Sequence, residues 1–265
     1  MIQKEIKFSD YVIERLSSLG VKHIFSITGG GVMHLVDSIA RNKDIEFAAV
    51  HNECFAGASA DAYARSSNGL GVAIGTTGPG LSNLFTSVVV AYQDSSPVLF
   101  IGGQVKSSDS SRINDFNVRQ NGTFEFDSID CFKPITKYCE IIKSFEDGID
   151  KLEAALHQMF DDRLGPALLE IPLDIQGQKR TRLHVKKYVQ SLKIFKRKDD
   201  YKLDTLLKSC VSKLNKFEKP LVILGNGVSR IVDKSSISQF LKNNNLPYVT
   251  TPLSKDLQSL NNESF

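Results

Sequence analysis

Short apolar runs alternate with amphipathic segments through residues 1–176 of the chain. Apolar positions in "FSDYVIERLSSLG" recur at helical spacing, and "VKHIFSI" follows as a short strand that ends in "TGGG". Further strands in "EFAAV", "LGVAIGT" and "SPVLFIGG" are separated by helical segments. Because these strands are continuously apolar, the pattern predicts an α/β fold, with a parallel sheet covered by helices on both faces.

The remaining pattern divides the chain into two domains. A loop-rich insert occupies residues 104–133 and is long enough to have a function of its own. The helix "FEDGIDKLEAALHQMF" and the strand "PALLEIP" then complete a first domain over residues 1–176. We interpret the basic run over 177–200 as a solvated interdomain linker. Residues 201–265 contain two strands and two helices, too few to close an independent sheet, and so predict an incomplete second α/β domain.

Composition and charge argue against several classes of protein, namely nucleic-acid-binding, membrane-bound and secreted disulfide-rich proteins. The formal net charge of the 265 residues is +3, which gives no reason to expect nucleic acid or a membrane surface as a partner. The four cysteines form no CxxC pair and show no regular spacing, so we expect reduced thiols in a cytoplasmic protein. The first residues, "MIQKEIKFSDYVIERL", lack the apolar core of a signal peptide, and no window has the roughly 18 apolar residues of a membrane-spanning helix.

Two glycine-rich turns follow predicted strands and precede helices. They are "TGGG" at 28–31 and "TTGPG" at 76–80. Neither turn matches the dinucleotide fingerprint GxGxxG or the P-loop GxxxxGK[ST], so those two phosphate sites are disfavoured. Either turn alone is as consistent with plain loop geometry as with a ligand wall. Both turns lie at the same predicted edge of one sheet, which favours a binding site there.

The tripeptide His51-Asn52-Glu53 stands between a strand and a helix rich in alanine, glycine and serine. It matches half of a zinc deaminase signature, but the required P-C-x-x-C half is missing, so that class is excluded. A carboxylate at a helix N-terminus is commonly stabilised by the helix dipole alone. Here the small residues after Glu53 let neighbouring backbone come close, which predicts a buried carboxylate with a chemical role.

Five ordered segments together resemble one enzyme family. They are "GVKHIFSITGGGVMHLVDSI", "HNECFAGASADAYAR", "TTGPGLSNLFTSVVVAYQDSSPVLFIGGQV", "KPITKY" and "GPALLEIPLDI". Over about residues 8–175 this order is similar to the N-terminal, pyrimidine-binding domain of acetolactate-synthase-like enzymes that depend on thiamine diphosphate. "PLVILGNGV" and "LPYVTTPLSKD" then resemble the start of the central domain of that family.

The resemblance implies roles for individual residues. Glu53 is expected to be catalytic, because the family's glutamate hydrogen-bonds the aminopyrimidine ring and favours the imino tautomer that accepts the thiazolium proton. The cofactor itself supplies the difficult chemistry. Arg163 matches an arginine that contacts FAD in flavin-containing members, although a helix C-terminal cation is an equal interpretation. The full set of expected cofactor-binding residues is Gly29, Gly30, Glu53, Thr77, Gly78, Pro79, Gly80, Asn83 and Arg163.

The sequence departs from the family at several points. Phe124 stands where a glutamine near the substrate is usual, whereas Glu125 is kept, and both are expected to line the substrate. Thr28 replaces a proline. The Gly-Asp-Gly motif that holds Mg²⁺ and the diphosphate in the family is absent, and Asn226 in "GNG" is a weaker ligand than aspartate, so we expect no metal site here. We therefore expect a homo-oligomer with a shared active site and a missing diphosphate-binding domain supplied in cis or in trans.

These observations lead to one main hypothesis and two alternatives. The main hypothesis is a thiamine-diphosphate-dependent carboligase that decarboxylates a small 2-oxo acid and transfers the acyl group to a carbonyl acceptor, present as an N-terminal portion that is inactive alone. FAD is a further cofactor that the resemblance allows. One alternative is a 2-oxo-acid decarboxylase or lyase with the same cofactor. The other is an inactive remnant or binding module that keeps only the sheet.

Overall fold

A computed structural model describes residues 4–192, 201–214, 216–230 and 234–257 of the chain. The chain divides into two compact units, Met1–Phe195 and Lys196–Phe265. No helix in the described ranges combines the length and the apolar character that crossing a membrane requires.

The first unit is built on a six-stranded sheet in which every neighbouring pair is parallel. The strands of this unit are β1 (Glu5–Lys7), β2 (His23–Ser26), β3 (Glu46–Ala49), β4 (Gly71–Gly75), β5 (Val98–Gln104), β6 (Tyr138–Ile141), β7 (Ala167–Pro172) and β8 (Lys179–Thr181). The strand order in the sheet is β3-β2-β4-β5-β7-β6, and β1 and β8 form a separate antiparallel pair. The predicted α/β fold with a parallel sheet is confirmed.

Helices cover the two faces of this sheet. They are α1 (Phe8–Ser18), α2 (Met33–Arg41), α3 (Glu53–Ser67), α4 (Pro79–Ser82), α5 (Phe85–Gln93), α6 (Ser128–Phe132), α7 (Phe145–Phe160), α8 (Leu173–Gly177) and α9 (Arg182–Ser191). Successive strand residues point to opposite faces. Ile74 and Ile101 therefore join the core under α1, α2 and α7, whereas Ala73 and Phe100 join the core under α3, α5 and α6.

The strand order determines which loops meet. Because all six strands are parallel, every loop that follows a strand lies at the same edge of the sheet. The chain leaves β2 toward β3 on one side, and β4 lies on the other side of β2, so the order reverses between β2 and β4. In open α/β sheets a ligand crevice forms outside the carboxyl ends of the strands at such a reversal. The two glycine-rich turns follow β2 and β4 and therefore flank this position.

The interpretation of residues 177–200 as a solvated linker is wrong for residues 179–191. Strand β8 pairs with β1, and helix α9 buries Val185 in the core of the first unit. The basic side chains that suggested a linker are held by acidic partners: Arg180 Nε lies 2.7 Å from Glu146 Oε1, and an Arg182 nitrogen lies 2.6 Å from a Glu14 oxygen. The first unit thus extends past the predicted boundary at 176. Residues 193–200 lie outside the described residues.

The described part of the second unit contains α10 (Tyr201–Leu214), β9 (Val222–Leu224), α11 (Lys234–Asn243) and β10 (Tyr248–Thr250). Strands β9 and β10 pair in parallel, and Leu224 and Leu241 form a small core between this sheet and α11. These elements match the two strands and two helices predicted from the sequence. That the unit is an incomplete central domain stays a prediction.

Candidate functional site

The two glycine-rich turns are packed against each other at the point where the strand order reverses. The backbone N–H of Gly31 donates to Thr76 Oγ1 at 3.1 Å. A Cβ atom placed on Gly31 would lie 2.1 Å from Thr77 Oγ1, and one on Gly29 would lie 2.5 Å from Thr76 Cβ. Only glycine permits this approach, since real Cβ atoms do not come so near other heavy atoms. Gly30, by contrast, has open space around it and lies on the accessible side of the turn.

Glu53 is the first residue of α3 and is directed toward the second turn. Asn52 caps the helix by accepting the Cys54 backbone N–H at 2.8 Å, which fixes where Glu53 leaves the backbone. The residue is only 8% exposed. Its Oε2 accepts a hydrogen bond from Asn83 Nδ2 at 2.9 Å, and its Oε1 lies 3.0 Å from where a Cβ on Gly80 would be. The expected burial of Glu53 is observed, and its carboxylate faces Gly80 and Asn83.

The small residues of α3 explain how Glu53 is covered. A Cβ on Gly57 would lie 2.4 Å from Ser87 Cβ, and a Cβ on Gly71 in β4 would lie 2.1 Å from the Ala60 carbonyl oxygen. Ser87 Oγ also donates to the Cys54 carbonyl at 2.8 Å. Helix α3 can therefore approach both β4 and α5 closely, and this contact brings Glu53 to Asn83 and Gly80.

Gly78 and Phe124 form a second close contact at the same turn. Both residues have positive φ angles, +65° for Gly78 and +61° for Phe124. A Cβ on Gly78 would lie 2.4 Å from the Phe124 carbonyl oxygen, so the backbone of the insert lies directly on the turn. The Phe124 side chain is 64% exposed and stands at the surface beside the turn. Thr77 is buried. Asn83 is exposed, and its side chain donates the hydrogen bond to Glu53 described above.

Glu125 is buried and bonded within the insert. Ser110 Oγ donates to its Oε1 at 2.7 Å, and the backbone N–H groups of Asn121 and Gly122 donate to its Oε2 at 3.3 and 3.2 Å. Burial raises the pKa of this carboxyl, but the hydrogen bonds, of which the one from Ser110 is largest, outweigh burial and lower the pKa to about 2. Both oxygens are occupied by the insert itself, so the described geometry gives Glu125 an organising role in the loop.

Arg163 lies apart from the other predicted residues. It precedes β7, and its Nε donates at 2.7 Å to Ser95 Oγ, which precedes β5. Residues that precede parallel strands lie at the edge of the sheet opposite to Glu53 and the glycine turns. Arg163 also follows the end of α7 by three residues, and it makes its contact with Ser95 rather than with the last turn of that helix. The other cofactor-binding residues predicted from the sequence are brought together around Glu53 or the two turns.

Two further residues that hold the site were not predicted. Thr76 joins the turns through its hydroxyl, as described above, and its place in "TTGPG" could have indicated this. Gln176 in α8 is fully buried, and its Nε2 donates to the Gly31 carbonyl at 2.7 Å and the Ile171 carbonyl at 2.8 Å. No sequence pattern marks Gln176, because its partners are distant backbone groups.

The arrangement provides one buried carboxylate at the carboxyl-end edge of the sheet, where the strand order reverses. An amide donor occupies one carboxylate oxygen, and the absence of a side chain on Gly80 lets the other oxygen approach the turn closely. Such a carboxylate can accept a hydrogen bond or a proton from a ring nitrogen placed beside the turns. Among the described residues, no group of three His, Cys, Asp or Glu side chains could hold a metal ion.

Comparisons with known proteins show which sequences the chain resembles. Residues 6–130 match the family model described as thiamine pyrophosphate enzyme, N-terminal TPP binding domain. The acetolactate synthase large subunit of Buchnera aphidicola subsp. Schizaphis graminum is 29% identical, across 92% of this chain and 41% of the relative. A probable acetolactate synthase large subunit of Methanocaldococcus jannaschii is 30% identical, across 94% of this chain and 41% of the relative.

A relative with a different activity is equally similar. The 2-hydroxyacyl-CoA lyase of Arabidopsis thaliana is 29% identical, across 93% of this chain and 42% of the relative. The chain thus spans about two fifths of the length of the curated relatives it matches, with 41% for the first of them.

Proposed function

Since this chain belongs, through residues 6–130, to the thiamine pyrophosphate enzymes as their N-terminal TPP binding domain, we propose that it contributes the pyrimidine side of a thiamine diphosphate site in an acetolactate-synthase-like carboligase. The observation that carries this proposal is the position of Glu53. Its carboxylate is buried at the strand-order reversal, bonded to Asn83, and in close contact with Gly80.

The residues present fit the aminopyrimidine end of that cofactor. When bound, thiamine diphosphate supplies a carbon nucleophile and an electron sink for carbon dioxide loss from a 2-oxo acid. Glu53 would accept the hydrogen bond of a ring nitrogen and hold the proton that the aminopyrimidine exchanges. The packed turns at 28–31 and 76–80 would form one wall beside the ring, and the side chain of Phe124 is exposed next to them, where a substrate would pass.

We further propose that the reaction begins with a small 2-oxo acid and ends in a carbon–carbon bond to a carbonyl acceptor. Both relatives named as acetolactate synthases support the carboligase. The equally similar 2-hydroxyacyl-CoA lyase supports a lyase of the same cofactor class as the second candidate. The two candidates differ in their products, because a carboligase gives a carbon–carbon adduct whereas a lyase or decarboxylase gives an aldehyde.

The described residues offer no ligand set for a metal ion. We therefore propose that Mg²⁺ and the diphosphate are held by another domain, in cis or in trans, and that the site is completed in a homo-oligomer. FAD remains a prediction that depends on Arg163. That residue is exposed and contacts Ser95 at the far edge of the sheet, so an FAD contact there would be separate from the Glu53 site.

Binding of thiamine diphosphate to the full chain tests the proposal through the Gly80→Ala variant. The added Cβ would lie 2.6 Å from Thr76 Cγ2 and 3.0 Å from Glu53 Oε1, so it should push the carboxylate out of place while the sheet remains intact. We expect the saturation-transfer NMR signals of the pyrimidine protons in the wild-type chain to fall severalfold in this variant.

Gly225→Ala is the matched control for this comparison. Gly225 lies in the second unit, and nothing lies within 4 Å of a Cβ added there. Its pyrimidine signals should equal those of the wild-type chain. Equal signals in Gly80→Ala would show that the ligand does not occupy the space beside Glu53, and the proposed site would then be abandoned.

A further inference from the structure

Another buried carboxyl of the first unit, that of Glu170, has no part in the proposed function. Glu170 is in β7 and is 1% exposed. Its Oε1 accepts a hydrogen bond from Gln104 Nε2 at 2.6 Å, and its Oε2 is hydrogen-bonded to Ser128 Oγ. Gln104 and Ser128 are themselves 2% and 1% exposed, so the three side chains form a closed polar cluster inside an apolar core. Burying a carboxyl this deeply is costly, and the hydrogen bonds from Gln104 and Ser128 offset part of that cost.

The two partners of Glu170 are the two ends of one loop. Gln104 is the last residue of β5, and Ser128 is the first residue of α6. The residues between them, 105–127, are called here the 105–127 loop. One side chain on the sheet therefore fixes both ends of this loop. Gln104 Oε1 also accepts the Val105 backbone N–H at 2.8 Å, which extends the bonding into the first residue of the loop.

Inside the loop, the buried carboxylate of Glu125 likewise joins separate parts of the chain through hydrogen bonds. Its carboxylate accepts hydrogen bonds from the Ser110 hydroxyl and from the backbone N–H groups of Asn121 and Gly122, so separate parts of the loop meet at one point. The residue before it, Phe124, has a φ of +61°, a left-handed conformation that is strained for any residue other than glycine. Such strain persists only where the surroundings fix it, and the carbonyl of Phe124 lies directly on Gly78.

From this geometry we infer that Glu170 is a positioning residue: it pins both ends of the 105–127 loop and so holds Phe124 against the turn at Gly78, which makes the loop a fixed wall of the site. The wall consists of the loop backbone at Phe124 and the ordered segment behind it. Its relevance to cofactor binding rests on the proposed function. The pinning itself follows from the bonds of Glu170 to Gln104 and Ser128.

The protonation of Glu170 gives this device a pH dependence. Burial raises the pKa of Glu170 to about 7, although the hydrogen bond from Gln104 opposes the rise. The other charged or titratable groups that act with it are Arg112, Glu125 and the Cys139 thiol. Because the folded-state pKa is raised from 4.5, the contribution of Glu170 to stability is fully present below about 4.5 and is lost as the pH rises through about 7.

The Glu170→Gln variant measures that contribution. Glutamine keeps an acceptor for Gln104 and has an amide that can bond to Ser128, but it cannot ionise. We expect the thermal unfolding midpoint of Glu170→Gln, relative to that of the wild-type chain, to rise progressively as the pH is raised from 5 to 8. A difference between the two midpoints that stays constant over this range would show that Glu170 does not titrate in the folded protein as described.

Hydrogen exchange of the loop tests the pinning through Ser128→Ala. Removing the hydroxyl releases one end of the loop, so amides in residues 105–127 should exchange at least about tenfold faster, while amides of β4 and β5 keep their wild-type rates. Ser38→Ala is the matched control, because Ser38 is also buried and also bonds a carboxylate, with its Oγ 2.7 Å from Asp10 Oδ1 on the other side of the sheet. It should leave the loop unchanged.

Each result decides the inference. Faster exchange in the loop for Ser128→Ala but not for Ser38→Ala, with wild-type protection in Glu170→Gln, supports the pinning. Unchanged loop exchange in Ser128→Ala overturns it, and so does faster exchange spread over the whole first unit. Binding of thiamine diphosphate is measured on the same samples. A wild-type chain that fails to bind it counts against the proposed function, and the exchange comparison still decides the pinning.

Discussion

Replacing Glu53 by glutamine is expected to lower the rate of proton exchange at the reactive carbon of thiamine diphosphate by roughly 10²- to 10⁴-fold, the range usual for loss of a general acid–base group. The variant keeps the size of the side chain and its bond to Asn83. It presents an N–H group to the aminopyrimidine ring where the carboxylate presents an acceptor, so the ring can no longer share its proton with the protein. The fold should be unaffected.

The rate is measured by exchange into deuterated water, acid quenching and proton NMR, at saturating thiamine diphosphate and Mg²⁺. The measurement uses the assembly that accelerates the exchange, either the chain alone or the chain with a diphosphate-binding domain. Glu153→Gln provides the control, because Glu153 pairs with Arg15 at 2.6 Å on the other face of the sheet. If Glu53→Gln exchanged the proton as fast as the wild-type protein, Glu53 would have no part in the chemistry.

The second large effect concerns stability and follows from Gly71→Ala. A Cβ at Gly71 would lie 2.1 Å from the Ala60 carbonyl oxygen and 2.8 Å from its carbonyl carbon, both of which belong to the backbone of α3. Backbone in a packed helix cannot move aside cheaply, so we expect the free energy of unfolding to fall by about 3 kcal/mol. Urea denaturation followed by circular dichroism is suitable, since the chain has no tryptophan.

The same substitution at Gly30 is the control for Gly71→Ala. Nothing lies within 4 Å of a Cβ added to Gly30, and its φ is not in the left-handed region, so the urea midpoint of Gly30→Ala should stay near that of the wild-type chain. Equal midpoints for Gly71→Ala and Gly30→Ala would mean that α3 does not lie as close to β4 as described.

Local sequence patterns predicted the parts of the site that depend on a few neighbouring residues. A few consecutive residues suffice to recognise each of these parts: the strand before Glu53, the run of small residues after it, and the two glycine turns. Their meeting at one edge follows from parallel strands and right-handed crossovers. For the same reason the burial of Glu53 could be expected before its partners Asn83 and Gly80 were located.

The parts that were missed depend on residues far apart in the chain. Gln176 reaches Gly31 across 145 positions, and β8 pairs with β1 across the whole first unit, so basic residues that looked solvated are held in place. One feature of the sequence does indicate Glu170, because it is the acidic residue in the otherwise apolar strand "PALLEIP". Its two partners could not be inferred, because only the fold brings the ends of the 105–127 loop to it.

Helix α3 connects the chemistry to a place well away from it. Ala60 lies seven residues after Glu53, roughly 10 Å along the helix axis, and it is there that the helix presses on Gly71. Because α3 packs so closely against β4 there, we expect a side chain added at Gly71 to displace the helix and with it the carboxylate. Substitutions at this remote contact should therefore lower the rate of cofactor proton exchange, although the residues there lie far from Glu53.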